Sequence, residues 1–178
     1  MRGESHRRLG YYLAEKYMQG TPRRYVRAFL IGCVEPDRNP ATYIKGSIRC
    51  QRLRGHNYEN ARRYMQRLSL RLERKERLYL LDYYAMGKLI HYTVDAFTLA
   101  HNDFFPENLR EHRAYEAELQ EYFLSFLAGD PPPCPPENKP VMDTIRAFHR
   151  RYESRPAGIF TDARFAFTAS CLVAAALV

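Results

Sequence analysis

Residues 76–101 read ERLYLLDYYAMGKLIHYTVDAFTLAH, and this stretch decides the fold class. Its apolar residues recur at helical spacing rather than at alternate positions, which predicts one long apolar helix over 76–101. Helical spacing also dominates the rest of the chain, and no segment sustains the alternation of a strand. The sequence therefore predicts an all-α protein.

Six further helices are expected on either side of this stretch. The first ends near Gly20 and takes Ser5 as its N-cap, because a serine hydroxyl can accept a hydrogen bond from a free backbone amide. The others are predicted at 22–34, 57–75, 108–127, 138–154 and 161–178. Residues 35–55 are expected to be irregular, 104–107 to form a turn, and the prolines of 130–136 exclude a helix because proline lacks the amide donor. The expected architecture is a single-domain bundle of about seven helices over residues 1–178.

The chain is basic, with a formal charge of +8 and a sequence pI near 9.4. Such a surface attracts phosphates, nucleic acid or an acidic lipid headgroup layer, although many basic proteins use the charge for solubility alone. The four cysteines form no CxxC pair, which argues against a cysteine zinc site and a dense disulfide framework. No apolar signal stretch opens the sequence, so a cytoplasmic protein is expected, or an extracellular one whose signal was removed. The apolar run 169–178 is too short to span a bilayer and predicts a buried terminal helix.

The sharpest local motif places a histidine and a carboxylate one helical turn apart. His91 and Asp95 are four residues apart, so on a helix they project from one face, and both residue types bind zinc well. His112 and Glu116 repeat the pair on the next predicted helix, and His101 lies between the two pairs. One such pair is more often a surface hydrogen bond, but two on consecutive helices favour a metal site.

Three upstream residues extend this series, namely His6, Asp37 and His56. Each alone is ordinary, because a histidine near a terminus is usually exposed and Pro36-Asp37 is typical of a turn. Together they bring five of the six histidines into one ordered pattern. The sixth, His149, lies in a basic segment outside the pattern, and we expect it at the surface or at the edge of the core.

The ordered series resembles the zinc-dependent phospholipase C family and, more distantly, the single-strand-specific zinc nucleases of the same fold. The resemblance covers residues 1 to about 128. It implies a helical bundle around a zinc cluster of two or three ions. The ligand sets it implies are Asp37, His56, His91 and Asp95 for one ion; His101, His112 and Glu116 for the second; and His6, Asp95 and the amine and carbonyl of Met1 for the third. Asp95 would therefore bridge two ions.

The chain departs from the family pattern at two places. The family begins with a tryptophan exposed by signal cleavage, whereas this chain begins with Met1, which still precedes His6 by five positions as in the nucleases. The family's Gln-Pro before the histidine that matches His101 is replaced by the residues AFTLA at 96–100. The carboxylate that follows His112 is Glu116, as in the phospholipases, where the nucleases carry aspartate. This last feature favours a phospholipase.

The function implied by the resemblance is hydrolysis of a phosphodiester by a metal-activated water. The implied substrate is a phospholipid or a related phosphodiester, with peripheral membrane contact. Asp37 is the catalytic candidate, because the resemblance places it where it can orient that water or accept its proton as well as bind zinc. Two alternatives stay open: a zinc nuclease or nucleotidase acting on single-stranded nucleic acid, and a metal-stabilised helical protein without catalysis. The sequence leaves the oligomeric state open.

Overall fold

The apolar stretch becomes the central helix of an all-helical bundle, which confirms the predicted fold class. The structure, a computed structural model, describes residues 1–39, 41–42, 56–102, 109–131 and 139–178. These residues form seven α-helices and contain no strand, with a 3₁₀ helix at Leu99–His101. In chain order the α-helices are α1 (Gly3–Tyr17), α2 (Arg23–Arg38), α3 (Tyr58–Glu73), α4 (Leu80–Ala96), α5 (Leu109–Ala128), α6 (Val141–Glu153) and α7 (Ile159–Leu177).

Helix α4 lies at the centre of the bundle, and its second half is buried on all sides. From residue 85 to residue 96 every residue except Lys88 is buried. A helix of this kind needs neighbours around its whole circumference, and α4 packs against α2, α3 and α7. Outside this layer, α1 packs on α2 and α5, and α6 packs on α7 and α3. His91 and Asp95 therefore project into the interior of the bundle from the last two turns of α4.

Helices α2 and α4 approach each other most closely where two glycines meet. A Cβ added at Gly87 would collide with the carbonyl oxygen of Phe29, and one added at Gly32 would collide with the backbone of α4. Glycine at both positions is what allows the two backbones to touch. This contact fixes how α2 lies along α4, and it brings Asp37 at the end of α2 beside His91 on α4.

The first two helices differ from their predicted bounds. Helix α1 begins before Ser5, which lies buried inside the helix and does not cap it. Helix α2 does not end at residue 34 but continues through Pro36 for another turn. Proline removes one backbone donor, yet the amide of Asn39 still donates to the carbonyl of Glu35, so the last turn closes. Asp37 is therefore helical, and the prediction that the irregular segment begins at residue 35 is wrong, because residues 35–38 belong to α2.

The central helix is shorter at both ends than the predicted helix over 76–101. At its start the carboxylate of Asp82 accepts a hydrogen bond from the amide of Tyr79, so the residues before Tyr79 do not continue the helix. At its other end α4 stops at Ala96, and the chain resumes as the 3₁₀ helix Leu99–His101. His101 therefore reaches the interior from a segment of its own.

Helix α7 contains most of the apolar run 169–178, and residues 169–174 of it are buried, as predicted. Within the described ranges it is the one helix that is long and apolar enough to cross a membrane. In the bundle, 56% of its most apolar stretch is buried. The predicted turn at 104–107, most of the irregular segment 35–55 and most of the proline segment 130–136 lie outside the described residues.

Candidate metal centre

Asp95 lies at the centre of a set of nitrogen atoms from distant parts of the chain. Its Oδ1 lies 3.0 Å from the amine of Met1 and 3.2 Å from Nε2 of His6. Its Oδ2 lies 3.0 Å from Nδ1 of His56 and 3.2 Å from Nε2 of His91. The Asp95 side chain is completely buried. A carboxylate with nitrogen atoms around both oxygens can bridge two cations, one on each oxygen.

The first group consists of His6, Asp37, His91 and Asp95, and one ligand atom from each lies within 4.8 Å of the others. His6 on α1 stacks its ring on that of His91 with 3.9 Å between the centroids. Asp37 Oδ1 lies 3.6 Å from His91 Nε2. His56 adjoins the group, because its Nδ1 lies 3.3 Å from His91 Nε2 and 3.7 Å from Asp37 Oδ1. Three helices and His56, two residues before α3, thus converge on one point.

Hydrogen bonds behind the rings aim the ligand atoms of His91 and His56 into this group. His91 Nδ1 donates to the carbonyl oxygen of Cys33 at 2.9 Å, which leaves Nε2 with a free lone pair. His56 Nε2 lies 3.0 Å from Oγ1 of Thr42, whose own hydrogen is directed to the carbonyl oxygen of Pro36 at 2.6 Å. Nε2 of His56 is therefore the donor, and its Nδ1 carries the lone pair.

The lone pairs left by this arrangement point toward one another, as those of the ligands of a shared cation do. His91 Nε2 and His56 Nδ1 face each other at 3.3 Å, with carboxylate oxygens of Asp95 and Asp37 beside them. With both rings neutral, none of these four atoms carries a hydrogen, so they cannot hydrogen-bond to one another. Two imidazole nitrogens and two carboxylate oxygens are a donor set that Zn²⁺ prefers, so the residues present fit this metal.

The second group consists of His101, His112 and Glu116, again with one ligand atom from each within 4.8 Å of the others. His101 Nε2 lies 3.3 Å from Glu116 Oε1, and His112 Nε2 lies 3.7 Å from Glu116 Oε2. His101 Nε2 is also 3.6 Å from Asp95 Oδ1, which joins the two groups. All three members are partly exposed, whereas Asp37 is the one partly exposed member of the first group. The centre therefore meets solvent at the second group and at Asp37.

The amine of Met1 lies where the two groups meet. It is buried, 3.0 Å from Asp95 Oδ1, 3.1 Å from Glu116 Oε1 and 2.7 Å from His101 Nε2. The carbonyl oxygen of Met1 lies 3.2 Å from His6 Nε2. Burial lowers the pKa of this amine, but Asp95 and Glu116 outweigh burial and raise the pKa to about 10. A cation is thus strongly favoured at this point.

Ionised carboxylates and imidazole rings share the centre. Burial raises the pKa of Asp95, but the neighbouring histidines and the terminal amine hold it well below its ordinary value. Burial also raises the pKa of Glu116, and hydrogen bonds from the two histidines of its group lower it by more. Burial lowers the pKa of His6 and His101, whereas Asp95 raises the pKa of His91 against burial. Charged oxygens beside imidazole nitrogens are a donor set that suits a divalent cation.

Comparison with known proteins agrees with this geometry. The family model described as zinc dependent phospholipase C matches residues 5–165. The chain belongs to the zinc-dependent phospholipase C family. No curated protein and no solved structure matches the chain. The structure of this zinc-dependent phospholipase C family member brings together every residue of the predicted series. It differs from the predicted sets in grouping, since His6 falls with the first group of four and His56 beside it.

A buried aspartate outside the predicted series holds the second group of this phospholipase C family member in place. Asp162 of α7 accepts hydrogen bonds from the amide of Leu99 at 2.7 Å and from the hydroxyls of Tyr115 and Tyr152 at 2.8 Å each. Leu99 begins the 3₁₀ helix, and Tyr115 precedes Glu116, so one carboxylate ties together both elements that carry the group. Burial raises the pKa of Asp162 to about 6. The sequence signal for it is a lone acidic residue in an apolar helix.

His149 is buried in this structure, so the prediction of a surface or core-edge position is wrong. The residue is 4% exposed, its ring stacks on that of Tyr58 at 3.8 Å, and its Nε2 lies 3.1 Å from Asn102 Oδ1. Asn102 Nδ2 donates to the carbonyl oxygen of Thr98 at 2.8 Å, so His149 helps to fix the 3₁₀ helix from its far end. Its basic neighbours suggested exposure, but positions 145, 149 and 152 share one buried face of α6.

Proposed function

We propose that this zinc-dependent phospholipase C family member hydrolyses a phospholipid, releasing diacylglycerol and a phosphorylated headgroup. Asp95 is the main support for this function. One of its oxygens faces His56 and His91, and the other faces His6, His101 and the amine of Met1. A single buried carboxylate that serves two neighbouring donor sets suits a cluster of metal ions acting on one phosphoryl group.

The proposed zinc ligands follow the two observed groups and the contacts that join them. They are Asp37, His56, His91 and Asp95 for one ion; His101, His112 and Glu116 for a second; and His6, Asp95 and Met1 for a third. The amine of Met1 can take part only in a chain in which no residue precedes it. Bound zinc supplies a water of lowered pKa and neutralises charge on the phosphoryl oxygens.

Asp37 is the residue that we propose handles the proton of the attacking water. Its Oδ1 lies 3.6 Å from His91 Nε2 inside the first group, yet 23% of its side chain is exposed. It is therefore a member of the first group that solvent can reach. A carboxylate in this position can orient a water molecule and accept its proton. Asp37→Asn, whose amide oxygen still coordinates a cation but takes up no proton, should lower turnover much more than zinc content.

The substrate approaches, on this proposal, from the side of the second group. His112 has 31% of its side chain exposed and Glu116 has 16%, so a phosphate can reach zinc held there from solvent. The presence of glutamate at this position, as in the phospholipases, supports a phospholipid substrate. The charge of +8 suits either a lipid surface or a nucleic acid, so an assay has to separate the two.

Turnover by the zinc-loaded protein on three substrates tests the proposal: phosphatidylcholine, a chromogenic phosphodiester and single-stranded DNA. Hydrolysis of the first two is expected. Cleavage of DNA with both others untouched would replace the proposal with a nuclease. Zinc binding without turnover on any of the three would indicate a metal-stabilised protein without catalysis.

Two aspartate variants provide a matched comparison for this assay. Asp95→Asn should lose both zinc and turnover, because the buried carboxylate contacts both groups. Asp143→Asn should lose neither, because its side chain is 59% exposed on the outer face of α6. Equal activity of the two variants would contradict the assignment of the site.

A further inference from the structure

A groove of about 520 Å³ lies between the end of α6 and the first turns of α7, on a part of the molecule that the metal centre does not use. Three arginines and three phenylalanines dominate its lining: Phe148, Arg151, Arg155, Phe160, Arg164 and Phe165. We refer to these six residues as the α6–α7 groove. Cationic heads beside aromatic rings form a surface that is both positive and apolar.

The positive charge of the α6–α7 groove is not neutralised by neighbouring carboxylates. Among the described residues, no ion pair joins a carboxylate to Arg151, Arg155 or Arg164, and all three are exposed. The two acidic residues closest in sequence are engaged elsewhere: Glu153 faces His149, and Asp162 accepts the hydrogen bonds that support the second group. The groove therefore offers three guanidinium groups to an external anion.

Each aromatic ring of the groove packs against an arginine or another ring. Arg164 lies over the face of Phe160 at 5.3 Å, and Arg151 lies over the face of Phe148 at 5.3 Å. Phe165 stacks on the buried Phe97 with 6.1 Å between the ring centroids. Each ring thus has a neighbour over one of its two faces, which leaves at most one face for a stacked base.

Phe160 nevertheless remains 57% exposed. An exposed aromatic ring beside arginines is typical of a surface that lies in the headgroup region of a membrane, where the ring enters the acyl boundary and the cations bind phosphates.

We propose that the α6–α7 groove docks the protein on an anionic phospholipid surface. Arg151, Arg155 and Arg164 bind lipid phosphates, and Phe160 inserts its ring at the boundary with the acyl chains. The expectation of a lipid rests on the proposed function. The docking itself requires no catalysis, because none of these residues belongs to the two groups of the metal centre.

Co-sedimentation of the zinc-loaded protein with vesicles tests this docking surface. The vesicles contain phosphatidylcholine alone or phosphatidylcholine mixed with phosphatidylglycerol. The wild-type protein should bind the mixed vesicles more tightly, and added salt should weaken the binding because it screens exposed charges. Arg155→Gln together with Arg164→Gln should weaken that binding about fivefold for each arginine, or about 25-fold for the pair. Phe160→Ser should weaken it while leaving its salt dependence unchanged.

The control is the pair Arg63→Gln and Arg67→Gln on α3, which removes the same charge from exposed positions that do not line the groove. This pair should bind mixed vesicles within about twofold of the wild type. Equal losses in the two double variants would overturn the proposal, because the binding would then follow net charge alone. Binding of single-stranded DNA through Arg155 and Arg164 without vesicle binding would also overturn it.

Turnover on a soluble chromogenic phosphodiester separates this proposal from the proposed function. Groove variants should keep wild-type turnover on that substrate, since they leave the metal centre intact. Groove-dependent vesicle binding by a protein that hydrolyses nothing would support the docking surface and reject the proposed function. Full turnover with no vesicle binding would support catalysis at the metal centre and reject the docking surface.

Discussion

Asp162→Ala should lower the stability of the protein by about 3–4 kcal/mol and loosen the second group. The change removes a buried carboxylate that accepts hydrogen bonds from Leu99, Tyr115 and Tyr152. A buried donor that loses its acceptor costs about 1–3 kcal/mol. The hydroxyl of Tyr152 is fully buried and accounts for about 2 kcal/mol, whereas water can reach the other two donors, which account for about 0.5–1 kcal/mol each.

Thermal unfolding at about pH 5 measures this effect. Burial raises the pKa of Asp162 to about 6, so its ionisation opposes folding and the loss of stability should be smaller at pH 8 than at pH 5. In a chain of this length, about 3 kcal/mol lowers Tm by about 10 °C. Zinc titration of the same variant should show weaker binding at the second group and unchanged binding at the first. Asp143→Ala is the control, since its exposed ion pair with Arg146 contributes less than about 1 kcal/mol. A loss below about 1 kcal/mol for Asp162→Ala refutes the role of this carboxylate as the support of the second group.

Three further predictions concern the N-terminal amine, the crossing of α2 and α4, and the dependence of stability on pH. One or two residues added before Met1 should remove the third zinc selectively and lower turnover, because the buried amine contacts Asp95 directly; metal content of the extended and native proteins measures this. Gly87→Ala should destabilise the fold by about 3 kcal/mol in chemical denaturation and weaken zinc binding at the first group, because the added methyl collides with the backbone of α2. Asp82→Asn should be less stable than the wild type at neutral pH. Burial raises the pKa of Asp82, but the hydrogen bonds from Lys75, the amide of Tyr79 and Arg71 together outweigh it and hold the pKa below its ordinary value. The contribution of Asp82 is therefore present above about pH 4, and the difference narrows as the pH falls below that.

Each of these predictions has an outcome that contradicts it. Equal zinc content and equal turnover in the extended and native proteins would show that the amine is not a ligand. Gly129→Ala, where an added Cβ makes only ordinary contacts, is the control for Gly87→Ala, and equal stability of the two variants would contradict the close helix crossing. A constant stability difference between wild type and Asp82→Asn from neutral pH into the acid range would contradict the lowered pKa of Asp82.

The part of the site that depends on local spacing could be predicted from the sequence. His91 with Asp95, and His112 with Glu116, lie four residues apart, so any helical reading places each pair on one face. The helical pattern itself predicted the fold class, because the apolar residues of α4 leave no alternative to a buried helix.

The part of the site that depends on packing between distant segments could not be predicted from spacing. Asp37 reaches His91 because α2 continues past Pro36, and because Gly32 and Gly87 allow the two helices to touch. Proline usually ends a helix, so the local signal at Pro36 indicated the opposite. Packing of α2 against α4, rather than local helix propensity, determines that residues 36 and 37 are helical.

The residues that support the site were missed for a related reason. The contacts by which Asp162 and His149 support the site are distant in sequence, since Asp162 accepts from Leu99 and His149 faces Asn102. Basic residues next to His149 suggested a surface position, although its helical face is apolar. Buried polar networks join side chains from several elements, so they are seen only once those elements are packed.

Zinc content is the most direct test of the account, because every functional proposal depends on the groups around Asp95. Elemental analysis of the protein purified without chelator should give two or three zinc ions per chain, matching the donor sets of the centre. The same measurement on Asp95→Asn should show a clear loss, since this carboxylate contacts both groups. Less than about one zinc ion per wild-type chain would contradict the metal centre, and with it the proposed hydrolase.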